Sequence, residues 1–350
     1  HIRHMMNFII LILVHVVSVA IAIGIPVEVV IALASCSSSF RPTGTSLSAS
    51  ALFSSTPNEN DNDNNSNQQE QQQQQCCRRR EPIGRLNSKA LVRTKVDRKI
   101  DSEMYSQPRF VTHTDAKFIQ QLTACYNDIL VGISRSKNNN SNNNNTADLV
   151  VLDLMSSHVS HLPVDTIDSE GASSVDGFRV ERVDVHGMNR IELEENRARQ
   201  STSGKVLVRD LNGNPSLMGL CPSQEYDAVF CNVGVQYLEE PESVCAEISR
   251  VLKPNGGVCV ISFSNRFFYQ KALVGWMERG MKERARLVTD YFRAAGGFDN
   301  DSIQVVGDGT SPLVQLMSVG GLGGDPFVAV VATTVTTTTN DNDNDNDNEQ

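Results

Sequence analysis

From residue 147 onward, apolar runs of strand length alternate with helix-patterned segments, and this alternation restricts the chain to an α/β fold built on a parallel sheet. The run "ADLVVLDL" (147–154) is apolar enough to be a strand covered on both faces. Further strands are predicted at 178–185, 205–208, 226–233 and 257–264, with two more at 302–306 and 327–335. Helices are predicted at 115–130, 190–199 and 241–252, and "KPNGG" (253–257) stops the last of these. A long helix from 268 to about 295 would end at Gly296 and Gly297. In a doubly wound sheet the ligand sits beyond the carboxyl ends of the strands, near the point where strand order reverses. The loops after the first four strands are therefore where function is expected.

Composition decides the edges of this unit. Residues 56–80 and 136–147 are dominated by Asn, Gln, Ser and Arg, and 340–350 is an Asn/Asp repeat. Such segments bury too little apolar surface to offset the entropy of ordering them. A disordered N-terminal presequence and C-terminal tail are expected, with the folded domain at 101–335 and the tail at 336–350. The formal net charge of −10 gives no electrostatic footprint for nucleic acid, which favours a basic face. The Arg78–Arg80 cluster reads as a solvated charge run. Eight cysteines form no CxxC pair and no Cys/His spacing suited to zinc, so no metal is expected. Cys231, Cys245 and Cys259 fall on apolar positions, whereas Cys76 and Cys77 are adjacent in the low-complexity run. Without a disulfide framework, a reducing compartment is expected.

The first hundred residues read as an address. Met5 or Met6 is expected to be the start, and Phe8–Ile25 is almost continuously apolar. Residues 1–39 are signal-peptide-like, with Ala32 and Ala34 fitting a small-residue cleavage site; a retained membrane anchor is the alternative. Residues 40–100 are expected to be a transit-peptide-like, low-complexity linker. Between Cys36 and Asn58 there is no acidic residue, Ser and Thr abound, and Arg41 is the only charge. "SSSFRP" (37–42) resembles the phenylalanine-centred motif of bipartite presequences that direct proteins into complex plastids, with Phe40 just after the cut. A plastid location is expected, with the secretory pathway or a membrane-anchored form as alternatives. If the signal is cleaved, no mature transmembrane segment remains.

The loop after the first strand is "DLMSSHVSHLP" (153–163). Nucleotide loops need glycine where the backbone turns with positive φ or closely approaches a ligand, yet Met155, Ser157 and Val159 stand at those places. Ser156 and Ser157 offer N–H groups and hydroxyls to a carboxylate, and Asp153 can accept from an ammonium. An amino-acid moiety thus matches better than a pyrophosphate. A plain strand-to-helix turn is the bland alternative.

The loop has company. "VLDLMSSHVSHLP" (151–163), "VHGMNRIELEEN" (185–196), "VRDLN" (208–212), "YDAVFCNVGVQYLEEPESVCAEISRVLKPNGGVCVISFSNRFF" (226–268) and the earlier "PRFVTHTD" (108–115) follow in order. Together they resemble a methyltransferase type 11-like family of the class I S-adenosylmethionine (SAM)-dependent methyltransferase superfamily, over roughly 103–335. That family's first loop also lacks glycine. Here His158 stands where the family has tryptophan, and the stretches 164–177 and 138–145 look inserted.

The resemblance implies a doubly wound, Rossmann-like seven-stranded sheet, mostly parallel with a C-terminal antiparallel hairpin, a feature that separates methyltransferases from nicotinamide-binding domains. It implies SAM as cofactor, with Asp153, Leu154, Met155, Ser156 and Ser157 around its methionine part. Gly187, Met188 and Asn189 take the end of the second strand, where most of the superfamily places an acid on the ribose; Asn189 offers one hydrogen bond instead. Asp210 and Leu211 fall at the adenine, and Asn232 and Val233 face the sulfur. The acceptor pocket is expected to include Tyr105, Arg109, Gln236 and Tyr237. The partner is a small-molecule acceptor, methylated on oxygen, carbon or nitrogen. His158 and His113 are the candidate general bases, with His161 and His186 also in reach of the role. Trp276, Phe267, Phe268 and Tyr269 read as packing residues. Two rivals stand beside this reading: a catalytically silent SAM-fold protein that binds or scaffolds, and a nicotinamide oxidoreductase, which lacks its glycine motif here.

Overall fold

The computed structural model describes residues 79–141, 147–163, 178–308 and 324–335. The presequence, the second half of the Asn-rich stretch, the 164–177 stretch and the Asn/Asp tail lie outside the described residues, as do Phe40, Cys76 and Cys77.

Alternation within each strand builds two core layers. Along β1 (Ala147–Asp153), Leu149 and Val151 join one buried cluster while Val150 and Leu152 join the other. The same odd–even split runs through β5 (Val258–Phe263) and β7 (Val328–Thr333), as the two-residue strand period requires. These strands are apolar on both faces because both faces are covered. One layer takes Val244, Ile248 and Val251 from α5 (Pro241–Val251) and Leu287, Val288 and Phe292 from α7 (Met281–Ala295). The opposite layer takes Phe118, Leu122 and Tyr126 from α2 (Ala116–Ser141).

The sheet has seven strands in the order β3-β2-β1-β4-β5-β7-β6. Its remaining members are β2 (Phe178–Gly187), β3 (Val206–Val208), β4 (Ala228–Asn232) and β6 (Gln304–Val306). β1 pairs in parallel with both β2 and β4, so strand order reverses at β1. β2–β3 and β4–β5 are also parallel, whereas β7 runs antiparallel to β5 and β6. The implied hairpin is present.

Several element boundaries differ from expectation, each for a local reason. The first long helix does not stop at 130 but continues through the start of the Asn-rich stretch to Ser141. Lys137 holds this extension, donating to the Asp148 carbonyl and pairing with Asp227 at 2.9 Å. The helix predicted at 190–199 is two short ones, α3 (Arg190–Glu194) and α4 (Arg197–Ser201), because Asn189 and Asn196 each accept backbone N–H groups as N-caps. The helix predicted from 268 is also divided. Residues 268–273 form turns, α6 is Val274–Met277, and α7 begins only after Gly280.

The domain edge expected at 101 lies earlier. Residues 79–100 pack along the body and lead into α1 (Asp101–Met104). Leu91 is buried in the core layer under α7. Arg93 makes a two-pronged ion pair with the buried Glu242, at 2.5 and 3.0 Å, and the Leu86 N–H donates to the same carboxylate. The backbone carbonyls of Val92 and Thr94 accept from Gly275 and Val274. Composition hid this segment: Arg85, Arg93, Lys95 and Asp97 are paired with residues of the domain. Among the described residues, no helix is long and apolar enough to cross a membrane.

Candidate functional site

A cavity of about 460 Å³ opens at the carboxyl ends of the parallel strands, in the size range of small-molecule sites. Its floor is the loop after β1 (Asp153, Met155, Ser156, Ser157), the end of β2 (His186–Asn189) and the end of β4 (Asn232–Gly234). Asp210 and Leu211, after β3, close one end. Gln236 and Tyr237 line the wall, and Tyr105 with 111–114 forms the roof.

The loops achieve glycine-like geometry without glycine. Met155 has φ 58° and Val233 has φ 44°, both in the left-handed region that side chains disfavour, most of all a β-branched one. Strain of this kind persists where the surroundings hold it and clusters at ligand sites. Here the Leu154 N–H is tied to the Phe230 carbonyl at 2.7 Å and the Ser156 N–H to the His186 carbonyl at 2.6 Å. The loop thus crosses the ends of β4 and β2. The glycines sit in the strand ends being crossed. A Cβ at Gly187 would stand 2.7 Å from the Ser156 carbonyl oxygen, and one at Gly234 would stand 2.9 Å from the Met155 Cβ.

Carboxylates and amides surround the loop. Asp153, 4% exposed, accepts from the Ser156 hydroxyl at 2.5 Å. Glu192 accepts from the Ser157 hydroxyl and from the Arg109 N–H, both at 2.7 Å. The fully buried Asn196 donates to the Ser157 carbonyl at 3.0 Å and to the Ser160 hydroxyl at 2.9 Å. Ser262, on β5, donates to Asn232 at 2.9 Å. Asn189 lines the cavity, but its amide does not offer the hydrogen bond expected for a sugar. Its oxygen caps α3, and its NH₂ group donates to the Tyr105 carbonyl at 2.9 Å.

The four histidines separate clearly. His186 is buried on β2 and burial, with the Arg209 charge, lowers its pKa to about 4. The Met155 N–H donates to its Nδ1 at 3.4 Å, so the neutral ring carries its proton on Nε2, which has no partner. His161 is lowered to about 4, by burial first and then by His158 and His113. His113 lines the roof, edge-on to Phe268 at 5.6 Å. The surrounding protein lowers its pKa, Glu192 opposes this, and Arg109 and His158 add to it. His158, expected as a base, is not in the cavity wall. Its ring packs edge-on against Phe110 at 5.5 Å, with the Ser157 hydroxyl 3.2 Å from Nδ1.

Two further expectations are corrected. The Leu154 side chain is part of the apolar core because it faces away from the cavity. Arg109 does not line the cavity either; its guanidinium lies 5.6 Å over the Phe268 ring and donates to the Met104 carbonyl. Gln236 and Tyr237 both line the cavity. The Gln236 side-chain oxygen is buried without a partner, while its nitrogen donates to the strained Val233 carbonyl at 2.6 Å. The Tyr237 hydroxyl accepts from the Phe268 N–H at 2.9 Å, and burial raises its pKa. Burial likewise pushes Tyr105 well above its ordinary value.

Sequence reasoning missed Glu192, Arg209, Asn212, Arg266 and Phe268 as wall residues. Glu192 lies inside the quoted motif "VHGMNRIELEEN", but an acid in a helix start reads as a surface residue. Phe268 was taken for packing, and it does pack, yet against the roof. Trp276 is core as expected, and Tyr269 is 64% exposed. The five described cysteines are buried and free.

Residues 176–260, from the approach to β2 through the first half of β5, match the methyltransferase-domain family model. A search of curated protein sequences found no match. Among solved structures, the chain is similar to the [4+2]-cyclase SpnF, at 13% identity over 74% of this chain and 100% of that one, with a TM-score of 0.40. It is similar to a SAM-dependent methyltransferase from Mesorhizobium loti, at 15% identity over 54% and 92%, with a TM-score of 0.33. A third is Haemonchus contortus phosphoethanolamine N-methyltransferase 2 bound to phosphomonomethylethanolamine and S-adenosylhomocysteine, at 13% identity over 55% and 50%, with a TM-score of 0.35. The matched segment covers β2 to β5, and the mostly parallel sheet with its antiparallel β7 surrounds it.

Proposed function

We propose that this chain, which carries a methyltransferase domain of the class I SAM-dependent superfamily, transfers a methyl group from SAM to a small-molecule acceptor. One observation carries the reading. The strained Met155 and Val233 backbones bring the β1 and β4 loops together on the floor of the cavity, with the buried Asp153 carboxylate in its wall. A cavity with a few convergent polar groups, at the carboxyl ends of the strands where their order reverses, fits a small-molecule ligand.

The residues present fit SAM. Asp153 is a buried carboxylate suited to an ammonium, and of the donors on the β1 loop the Ser157 N–H suits a carboxylate, the Ser156 N–H and both hydroxyls being turned to His186, Asp153 and Glu192. Met155, Gly187, Met188, Asp210, Leu211, Asn232 and Val233 would line the rest of it. When bound, SAM supplies an electrophilic methyl on a sulfonium. The protein's part is to hold the acceptor in line and to keep water out. Tyr105, Gln236 and Tyr237 are the positioning candidates, and His113 is the base for an acceptor that must lose a proton. Its lowered pKa keeps the ring neutral at neutral pH, ready to accept.

A plastid setting is our reading of the presequence, and an acceptor oxygen, carbon or nitrogen all suit the site. The committed Asn189 amide favours one second reading, a SAM-fold protein that binds without turning over. Incubating the full-length chain with methyl-labelled SAM and a small-molecule plastid extract separates the two. Transfer of label that is lost in Asp153→Ala is expected. Saturable binding with no transfer to any fraction would contradict the enzyme reading.

A further inference from the structure

Most of the superfamily that this chain resembles places an acidic residue at the end of β2, on the ribose. This chain has Gly187, Met188 and Asn189 there. Asn189 is no substitute, because its oxygen accepts from the Ile191 and Glu192 N–H groups and its NH₂ donates to Tyr105.

The missing acid is found on the next element. Glu192 is 8% exposed, lines the cavity, and reaches it from α3. Both of its hydrogen bonds come from neutral donors, the Ser157 hydroxyl and the Arg109 N–H, at 2.7 Å each. A carboxylate has room for about four hydrogen bonds, so about two acceptor positions stay open. Two vicinal hydroxyls donate two. Its position also fits. Ser157 belongs to the β1 loop, whose Ser156 crosses the end of β2, so the carboxylate stands where that loop, the β2 end and the roof meet. Asp210 is the rival acid, but it follows β3 and accepts from its own turn at the Asn212 N–H.

We propose that Glu192, delivered from α3 instead of from the end of β2, is the acidic hydrogen-bond partner of the ribose diol of the cofactor. This rests on the SAM reading above. No covalent step is involved. Because the same carboxylate accepts from Arg109, diol binding and the position of the roof share one side chain.

The test compares two ligands on the full-length chain by calorimetric titration: S-adenosylhomocysteine and its 2′-deoxyribose counterpart. Wild type should prefer the ribose ligand by roughly 10- to 100-fold, the worth of a charge-assisted hydrogen bond. Glu192→Gln, which keeps size and removes charge, should bind the ribose ligand that much more weakly and lose the preference, with the deoxy ligand little changed. An unchanged preference in Glu192→Gln overturns the proposal. Equal weakening of both ligands overturns it as well, since that marks a purely structural role. If Glu192→Gln does not fold, Glu192→Asp carries the same comparison with the charge one methylene further back. Failure of folded wild type to bind either ligand overturns the SAM reading, and this inference with it.

Discussion

The floor and the roof of the cavity are made in different ways. The floor consists of strand ends, and its position follows from the parallel ladders joining β2, β1 and β4. Its strained residues are held too, Val233 by its N–H on the Ser262 carbonyl and Met155 by its N–H on the His186 ring. The roof, from Tyr105 to Thr114, is held by a handful of contacts: the Tyr105 carbonyl to Asn189, the Arg109 N–H to Glu192, and the Arg109 guanidinium over Phe268. Two of its large apolar side chains, Phe110 and Val111, are more than half exposed. A floor fixed by the fold suits a ligand common to many enzymes. A roof fixed by a few side chains suits the variable partner, and such a segment can change its ligand without disturbing the sheet.

The comparison can be broken most severely behind the roof, where the segment leading to it is pinned. Arg93→Ala should leave Glu242, 1% exposed, as an uncompensated buried charge and cost about 3–5 kcal/mol in urea unfolding. A loss below about 1 kcal/mol would mean that residues 79–100 contribute little to the domain. The next effect sharpens the description of the floor. His186 and His161 have folded pKa values of about 4, below the unfolded value near 6.5, so the unfolded chain binds more protons between these limits. Stability should be full above pH 6.5 and fall by about 1–3 kcal/mol on acidification toward pH 4.5. His186→Gln should flatten part of that slope; an identical slope would show that the ring does not titrate as its burial requires.

Much of the floor was legible in the sequence, and little of the roof was. Continuous apolar runs mark strands covered on both faces, so the ends of β1 and β4 and the loops after them were located from pattern, and Asp153 and Asn232 line the cavity there. The end of β2 was located but its chemistry was not, because an Asn before a helix is read equally well as a ligand contact or a cap, and here it caps. Leu154 and His158 were misplaced for one reason. A loop that turns through left-handed Met155 does not continue the strand's alternation, so sequence neighbours of cavity residues need not face the cavity. The segment 79–100 was hidden by its charges, since Arg93 and Lys95 look solvated until Glu242 and Asp101 are seen beside them. Glu192 was invisible for the same reason: its donors lie in distant segments.

The most direct measurement is calorimetric titration of the full-length chain with S-adenosylhomocysteine, beside Gly187→Ala and Gly132→Ala. The Gly187 substitution drives a Cβ to 2.7 Å from the Ser156 carbonyl, whereas nothing lies within 4 Å of a Cβ at Gly132. One-to-one binding by wild type and Gly132→Ala, weakened at least about tenfold in a folded Gly187→Ala by the loss of roughly 1.4 kcal/mol or more, is the predicted result. A well-folded wild-type chain that takes up no heat, or a Gly187→Ala variant that binds as tightly as wild type, would contradict the placement of the cofactor on this floor.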